Sequence, residues 1–295
     1  MNSVIKRCTL CPRACGADRQ SRMGVCGMGT LPKLARAGVH MWEEPCISGK
    51  RGSGTVFFSG CSLRCVFCQN YPISVGGYGK EITVRRLREI FLELCQKGVH
   101  NINLVNPTHF VPAIAEALED PLPVPVVYNS SGYERPETLK LLEGKIQIYL
   151  PDMKYSNPDA ARRYSHAEDY PAAAKAAIEE MYRQTGPYRL GADGILKKGV
   201  VVRHLILPGN LRNTYGVIDW FRETFRPGEA LFSLMSQYIP CGRAEEYPEI
   251  NRKITSREYH KAQDYLFESG IEDGFVQSRK SAAESFVPVW DLEGV

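Results

Sequence analysis

Three cysteines, Cys61, Cys65 and Cys68, form a C-x3-C-x2-C triplet directly after an apolar run, within Phe57-Phe58-Ser59-Gly60-Cys61-Ser62-Leu63-Arg64-Cys65-Val66-Phe67-Cys68-Gln69-Asn70. That spacing lets one loop wrap a single metal centre. A cubane 4Fe-4S cluster held by only three thiolates leaves one iron without a protein ligand, open to a small molecule that chelates through amino and carboxylate groups. The competing explanations are three buried thiols or a zinc completed by a distant ligand. Structural zinc sites usually pair two close dyads of ligands, a pattern the triplet lacks.

A second group stands at the start of the chain: Cys8-Thr9-Leu10-Cys11-Pro12-Arg13-Ala14-Cys15, then Met23-Gly24-Val25-Cys26. Four thiolates satisfy either a tetrahedral zinc or a second iron-sulfur cluster, and a structural zinc would look the same as a redox centre at this level. Cys46, Cys95 and Cys241 stand apart and are expected to pack as small apolar residues.

The wider composition limits the compartment and the partners. No apolar stretch of signal-peptide length opens the chain, so the ten cysteines are not expected to form a disulfide framework, and the cytoplasm is expected. No segment approaches the roughly 18 apolar residues of a membrane span. Lys and Arg total 37 against 33 for Asp and Glu, a net charge of +4 with no basic run, so neither nucleic acid nor a membrane is an expected partner.

The elements that must position these cysteines alternate. Apolar runs at residues 55–59, 101–105, 124–128, 146–150, 200–207 and 230–235 predict six buried strands. Helices fit between and after them at 84–94, with Thr83 as N-cap and Gly98 past the end, and at 112–118, 136–142, 215–225 and 257–268. Alternation of this kind predicts an α/β fold with a parallel sheet, here a partial (β/α)6 TIM-like barrel whose active site lies at the C-terminal ends of the strands. The division expected is a Cys-rich N-terminal module at 1–50, the partial barrel at 51–240 and a C-terminal segment packing on the barrel at 241–295. A long insertion between the fourth and fifth strands carries an alanine-rich helix at 170–184, capped by Asp169, and is expected to overhang the barrel mouth, although an extra packing helix would read alike.

The triplet, with aromatic Phe67 before its third cysteine and Gln69-Asn70 after it, resembles the radical S-adenosylmethionine superfamily. Beyond it the chain is similar to the branch that contains pyruvate formate-lyase activating enzymes. The segments that carry this likeness are Glu43-Glu44-Pro45, Asn101-Ile102-Asn103-Leu104-Val105-Asn106-Pro107-Thr108-His109, Tyr128-Asn129-Ser130-Ser131-Gly132-Tyr133, Tyr149-Leu150-Pro151-Asp152-Met153-Lys154, Arg203-His204-Leu205-Ile206-Leu207-Pro208-Gly209 and Met235-Ser236-Gln237-Tyr238. The resemblance implies a 4Fe-4S cluster on Cys61, Cys65 and Cys68, and S-adenosylmethionine on the open iron. The reduced cluster would then cleave the sulfonium and release a 5′-deoxyadenosyl radical that takes a hydrogen from the substrate.

The same resemblance implies that Asn129, Ser130, Asp152, Lys154 and Arg203 line the cofactor pocket, with Phe67 helping to dry it. Lys154 and Arg203 suit the methionine carboxylate, and Asp152 suits the sulfonium or a cation. A plain surface ion pair between Asp152 and Lys154 is the competing explanation, since residues two apart on a strand share a face. The Gly-Gly-Glu usual in that family is replaced by Asn106-Pro107-Thr108-His109, so Asn106 and Thr108 are expected as substitutes, with His109 a local hydrogen-bonder. By resemblance the target is a glycyl-radical enzyme, with flavodoxin or ferredoxin as electron donor and the insertion as a docking element. A small molecule or another protein is the second reading of the target, and a non-catalytic iron-sulfur or zinc protein the third.

Overall fold

In the computed structural model, which describes residues 6–278 and 288–295, the sheet starts with an antiparallel pair, β1 (Lys33–His40) and β2 (Ser53–Phe58), joined through the short helix α1 (Pro45–Ser48). Next come α2 (Tyr71–Ser74), β3 (Lys80–Glu81), α3 (Val84–Gln96), β4 (Ile102–Val105), α4 (Val111–Ala117), β5 (Val126–Ser130), α5 (Pro136–Leu139) and β6 (Ile148–Pro151). Two helices, α6 (Pro158–Ser165) and α7 (Tyr170–Thr185), lead to β7 (Arg189–Leu190) and β8 (Leu196–Leu205). The chain continues with α8 (Leu211–Thr224), β9 (Leu231–Met235), α9 (Ser256–Glu268) and β10 (Gly274–Val276). Strand order is β10-β9-β8-β6-β5-β4-β2-β1-β3, parallel from β10 to β2. This is the open, mostly parallel α/β sheet of a partial barrel, with helical crossovers as the alternation predicts. Among the described residues no helix is long and apolar enough to cross a membrane.

Local rules account for most of the elements. The Thr83 hydroxyl caps α3 by accepting the Arg86 amide, and the helix buries Leu87, Ile90, Phe91 and Leu94 on one face. Thr255 and Glu258 form a reciprocal capping box at α9. The strand expected at 124–128 runs instead from Val126 to Ser130. Pro123 and Pro125 have no amide to give a ladder, so pairing begins after them.

Residues 33–40, within the Cys-rich module, form β1, which lies between β2 and β3 and whose register pairs Ala37 with Val56 and His40 with Ser53. Two expectations need correction. The alanine-rich helix does not overhang the mouth: α7 buries Ala174, Ala177, Ile178 and Met181 as part of the β6-to-β8 crossover. Asp169 makes no capping bond there, because its carboxylate accepts the Tyr133 hydroxyl at 2.7 and 3.0 Å.

Register determines what faces the barrel interior. Val127 pairs with Ile148 and Asn129 with Leu150, while Val201 pairs with Leu231, Arg203 with Ser233 and Leu205 with Met235. Side chains alternate along a strand, so these residues share one face. Cys46 and Ile47 of α1 pack among Val127, Ile148, Leu150, Val201 and Leu231, so α1 plugs the interior below. A bridge between Asp152 and Arg203 starts the next layer up, where the inward residues turn from apolar to charged. The C-terminal residues close one side: Leu292 donates to Ala35 O at 3.1 Å, Ala37 to Glu293 O at 2.8 Å, and Trp290 meets Phe57 edge-on at 5.2 Å.

Candidate active site

The loop after β2 carries the cysteine triplet, and each sulfur has a donor. The Leu63 amide donates to Cys61 Sγ at 3.4 Å, the Ser165 hydroxyl to Cys65 Sγ at 3.0 Å and the Ser74 hydroxyl to Cys68 Sγ at 3.2 Å. Ser165 ends α6, and Tyr164 O accepts the Val66 amide at 2.9 Å, so α6 braces the loop from outside. Burial pushes the free Cys65 thiol up to about 12 against the pull of Lys154, and burial also raises Cys68. Such thiols stay neutral until a metal displaces their protons. Three sulfurs on one loop, each with a donor that stabilises a thiolate, fit a 4Fe-4S cluster. Among the described residues no three metal-binding side chains stand close enough to hold a single ion; a cubane places each thiolate on a separate iron.

The loop forms one wall of a cavity of about 260 Å³. Cys61, Cys65, Phe67 and Cys68 line it, as do Asn106, Asn129, Ser130, Asp152, Lys154 and Arg203 from the ends of successive strands. Phe67 is held by Tyr238 and Tyr164 at centroid distances of 5.8 and 6.3 Å. Asn106 adopts a left-handed backbone, φ 59°, and its amide donates to Gly60 O, tying the end of β4 to the cluster loop.

Thr108 does not reach the cavity. The 3-10 turn Thr108–Phe110 directs its hydroxyl into the barrel wall, where it donates to Glu134 Oε1 at 2.5 Å. His109 also faces inward and donates through Nε2 to Ser59 O at 2.7 Å, while burial drives its pKa down to about 3 and keeps the ring neutral. It holds the start of the cluster loop and does not line the cavity.

The charges in the cavity form a network. Asp152 accepts from Lys154 Nζ at 2.5 Å and from Arg203 at 2.9 Å, and the three side chains are only 13–20% exposed, so this is a buried network and not a surface pair. Burial alone would raise Asp152, but Arg203 and Lys154 hold it below the ordinary carboxylate range. Arg203 also donates to Asn129 Oδ1 at 2.7 Å and to Glu43 Oε2 at 3.2 Å. Glu43 and Glu44, part of the Glu43-Glu44-Pro45 likeness segment but given no role from sequence, are cavity residues as well. Both line the cavity from below; Glu44 is 4% exposed, accepts Ser233 Oγ at 2.9 Å through Oε1, and among the described residues has no partner at Oε2. Burial, partly offset by Arg203, pushes Glu44 up to about 7. The available signal was an acidic pair directly before Pro45 at a helix start, ordinary in itself.

The N-terminal cysteines gather beside the cluster loop. Cys8, Cys11 and Cys26 are buried and Cys15 is half-buried. A Cβ added to Gly24 would lie 3.4 Å from Cys26 Sγ and 3.5 Å from Cys15 Sγ, so both sulfurs flank one glycine.

Comparison with known proteins gives a family match, a sequence relative and several matching solved structures. A family profile described as the Radical SAM superfamily matches residues 55–210, more than half of the chain. An uncharacterized protein of Methanocaldococcus jannaschii is 29% identical over 272 residues, covering 88% of this chain and 74% of that protein. Solved structures of similar fold include SuiB of Streptococcus suis bound to its precursor peptide SuiA, at 12% identity and a TM-score of 0.48, covering 74% of this chain and 46% of that one. Methylornithine synthase (PylB) matches at 12% identity and a TM-score of 0.49, over 73% of this chain and 68% of that one. HydG, a maturase of the [FeFe]-hydrogenase, matches at 15% identity and a TM-score of 0.49, over 79% of this chain and 54% of that one. The chain thus spans less than half the length of SuiB.

Proposed function

Because the chain belongs to the radical S-adenosylmethionine superfamily, we propose that its cavity holds S-adenosylmethionine against a 4Fe-4S cluster on Cys61, Cys65 and Cys68, and that Asn129, Ser130, Asp152, Lys154 and Arg203 bind that molecule. The cluster, when bound, supplies the electron that cleaves the sulfonium to a 5′-deoxyadenosyl radical. The chain's own residues bind and orient. Lys154 and Arg203 neutralise a carboxylate, and Asp152 keeps both cations in place while facing positive charge itself. Asn106, fixed to the cluster loop, offers its amide near the same wall, and Phe67 with Tyr238 and Tyr164 excludes water from the sulfur side.

The observation that supports this most is that the cysteine triplet and the Asp152, Lys154 and Arg203 network line one cavity. Reduced, anaerobically reconstituted protein should convert S-adenosylmethionine to 5′-deoxyadenosine and methionine. Intact S-adenosylmethionine under strong reductant would refute the reading.

For the target of the radical we propose a backbone glycine of a glycyl-radical enzyme, on the likeness of the strand-end segments to activating enzymes. Reduced flavodoxin or ferredoxin would serve as electron donor. A small molecule or another protein is the second reading, favoured by the Asn106-Pro107-Thr108-His109 departure and by the two carboxylates, Glu43 and Glu44, below the cavity. A glycine backbone brings no cation, whereas an amine or guanidinium would suit such a floor. Electron paramagnetic resonance after mixing with candidate glycyl-radical enzymes separates the two: a protein-centred glycyl signal supports the first, and its absence with every candidate the second.

A further inference from the structure

The four N-terminal cysteines are not used by the chemistry above, although they are packed against it. The Cys8 amide donates to Ala17 O at 2.9 Å, Gly16 to Cys8 O at 3.0 Å and Ala14 to Cys11 O at 2.9 Å, so residues 8–17 close on themselves and bring their thiols toward Cys26. Beside the thiols lies Arg19, 4% exposed. Its terminal nitrogens donate to His109 O at 2.5 Å and to Gly29 O, and its Cζ lies 5.7 Å from the centre of the Phe110 ring; among the described residues its Nε has no partner and no carboxylate pairs with it. A buried guanidinium held only by carbonyls and a ring face is costly unless an anion lies close. The nearby groups able to become anionic are the thiols: the Gly24 Cβ position that touches Cys15 and Cys26 is 4.0 Å from Arg19 Cδ. Thiolates bound to a metal supply the missing charge.

The position of this site relative to the triplet favours a redox metal. Cys26 O accepts the Cys61 amide at 3.2 Å, so a ligand of one group is hydrogen-bonded to a ligand of the other. Arg13 spans the junction, donating to Ser62 O at 3.0 Å, Leu63 O at 3.5 Å and Ser165 O at 2.7 Å, and Arg64 returns to Val25 O at 3.1 Å. On the outer side Cys15 is half-buried, and exposed Arg7, Arg22 and Met23 belong to the same segment, which offers an acidic redox protein a basic approach.

We infer that Cys8, Cys11, Cys15 and Cys26 hold an iron-sulfur cluster that passes electrons from a protein donor to the cluster on Cys61, Cys65 and Cys68, an inference that rests on the radical chemistry proposed above. One electron moves from a reduced ferredoxin or flavodoxin to the oxidised N-terminal cluster, which is reoxidised as the triplet's cluster is reduced. No bond forms or breaks and no proton moves. Zinc has no redox chemistry and cannot take this part.

Anaerobically reconstituted protein should then contain about eight irons and no stoichiometric zinc, with about four lost in the Cys11→Ser, Cys15→Ser double variant. Its remaining electron paramagnetic resonance signal should shift when S-adenosylmethionine is added. The Cys61→Ala, Cys65→Ala, Cys68→Ala variant should keep the other signal, indifferent to S-adenosylmethionine. Photoreduced ferredoxin should reduce the triplet's cluster through a fast phase that the double variant loses, while dithionite reduces both proteins alike. Zinc with a single cluster's worth of iron in the wild-type protein overturns the inference without any variant having to fold, and an unchanged fast phase in the double variant overturns the relay. A double variant whose signal ignores S-adenosylmethionine would instead refute the radical reading.

Discussion

Replacing Glu134 with glutamine should stabilise the protein, but only at neutral and alkaline pH. Glu134 is 1% exposed in the barrel wall, and its carboxylate accepts the Thr108 hydroxyl at 2.5 Å and the Tyr128 hydroxyl at 3.2 Å. Among the described residues no cation pairs with it. Burial therefore dominates and pushes its pKa from 4.5 to about 7, with the hydroxyl donors pulling it partway back. At about 1.4 kcal/mol per unit, ionised Glu134 costs the folded state about 3 kcal/mol. The folded pKa lies above the unfolded one, so between about pH 4.5 and 7 the folded chain binds more protons and stability falls as pH rises. Above that window the full cost applies. Glutamine copies the protonated acid, with one acceptor and one donor end, and the hydroxyls of Thr108, Ser130 and Tyr128 around it can rotate to suit. The variant should thus match wild type near pH 4.5 and exceed it by up to about 3 kcal/mol near pH 8. Glu44, raised to about 7 by burial, contributes the same slope to both proteins and cancels in the difference. Urea unfolding of the pair across this range measures it. A difference that does not change with pH, or a loss of stability near pH 8, would refute the reasoning.

Other substitutions address the cavity itself. Lys154→Met removes a buried cation, and S-adenosylmethionine should bind about 10- to 100-fold more weakly by equilibrium dialysis, the range of a lost charge-assisted hydrogen bond. Thr108→Val should leave that affinity unchanged while lowering stability, because its hydroxyl serves Glu134, whereas Asn106→Ala should weaken binding. Ser165→Ala takes away the hydrogen bond to Cys65 Sγ, and the midpoint potential of the triplet's cluster, read by redox titration, should fall. Gly132→Ala should destabilise by more than about 2 kcal/mol, since φ is 74° and the added methyl would press on Asp152 O, while Gly98→Ala, at φ 76° with open space around it, should cost only about 1 kcal/mol by thermal unfolding.

The parts of this site that could be read from sequence are those fixed by spacing along the chain. Cys61, Cys65 and Cys68 lie on one loop, so their separation constrains their geometry before any tertiary contact forms. Asp152 and Lys154 are two residues apart at a strand end, and period-2 alternation already puts them on one face. What sequence spacing could not give was burial: a surface pair and a buried network look alike until Arg203, 51 positions away, is known to reach Asp152. Thr108 was misplaced for a related reason, because a single left-handed residue, Asn106 at φ 59°, turns the chain and sends the next side chains into the wall. Glu43 and Glu44 entered the sequence reading only as part of a likeness segment, without a role, because their place depends on α1 being drawn into the barrel, where Cys46 and Ile47 meet strands 80 to 185 residues further on. Strand β1 was hidden similarly, preceded by cysteine-rich sequence and bonded by residues 292 and 293 at the other end of the chain. The division has a chemical consequence. Local spacing encodes the candidate metal donors, while the floor and side of the cavity are assembled by contacts between distant segments. A sequence of this kind therefore announces its radical SAM family in a few adjacent residues, whereas Glu43, Glu44 and the rest of the cavity floor come together only on folding.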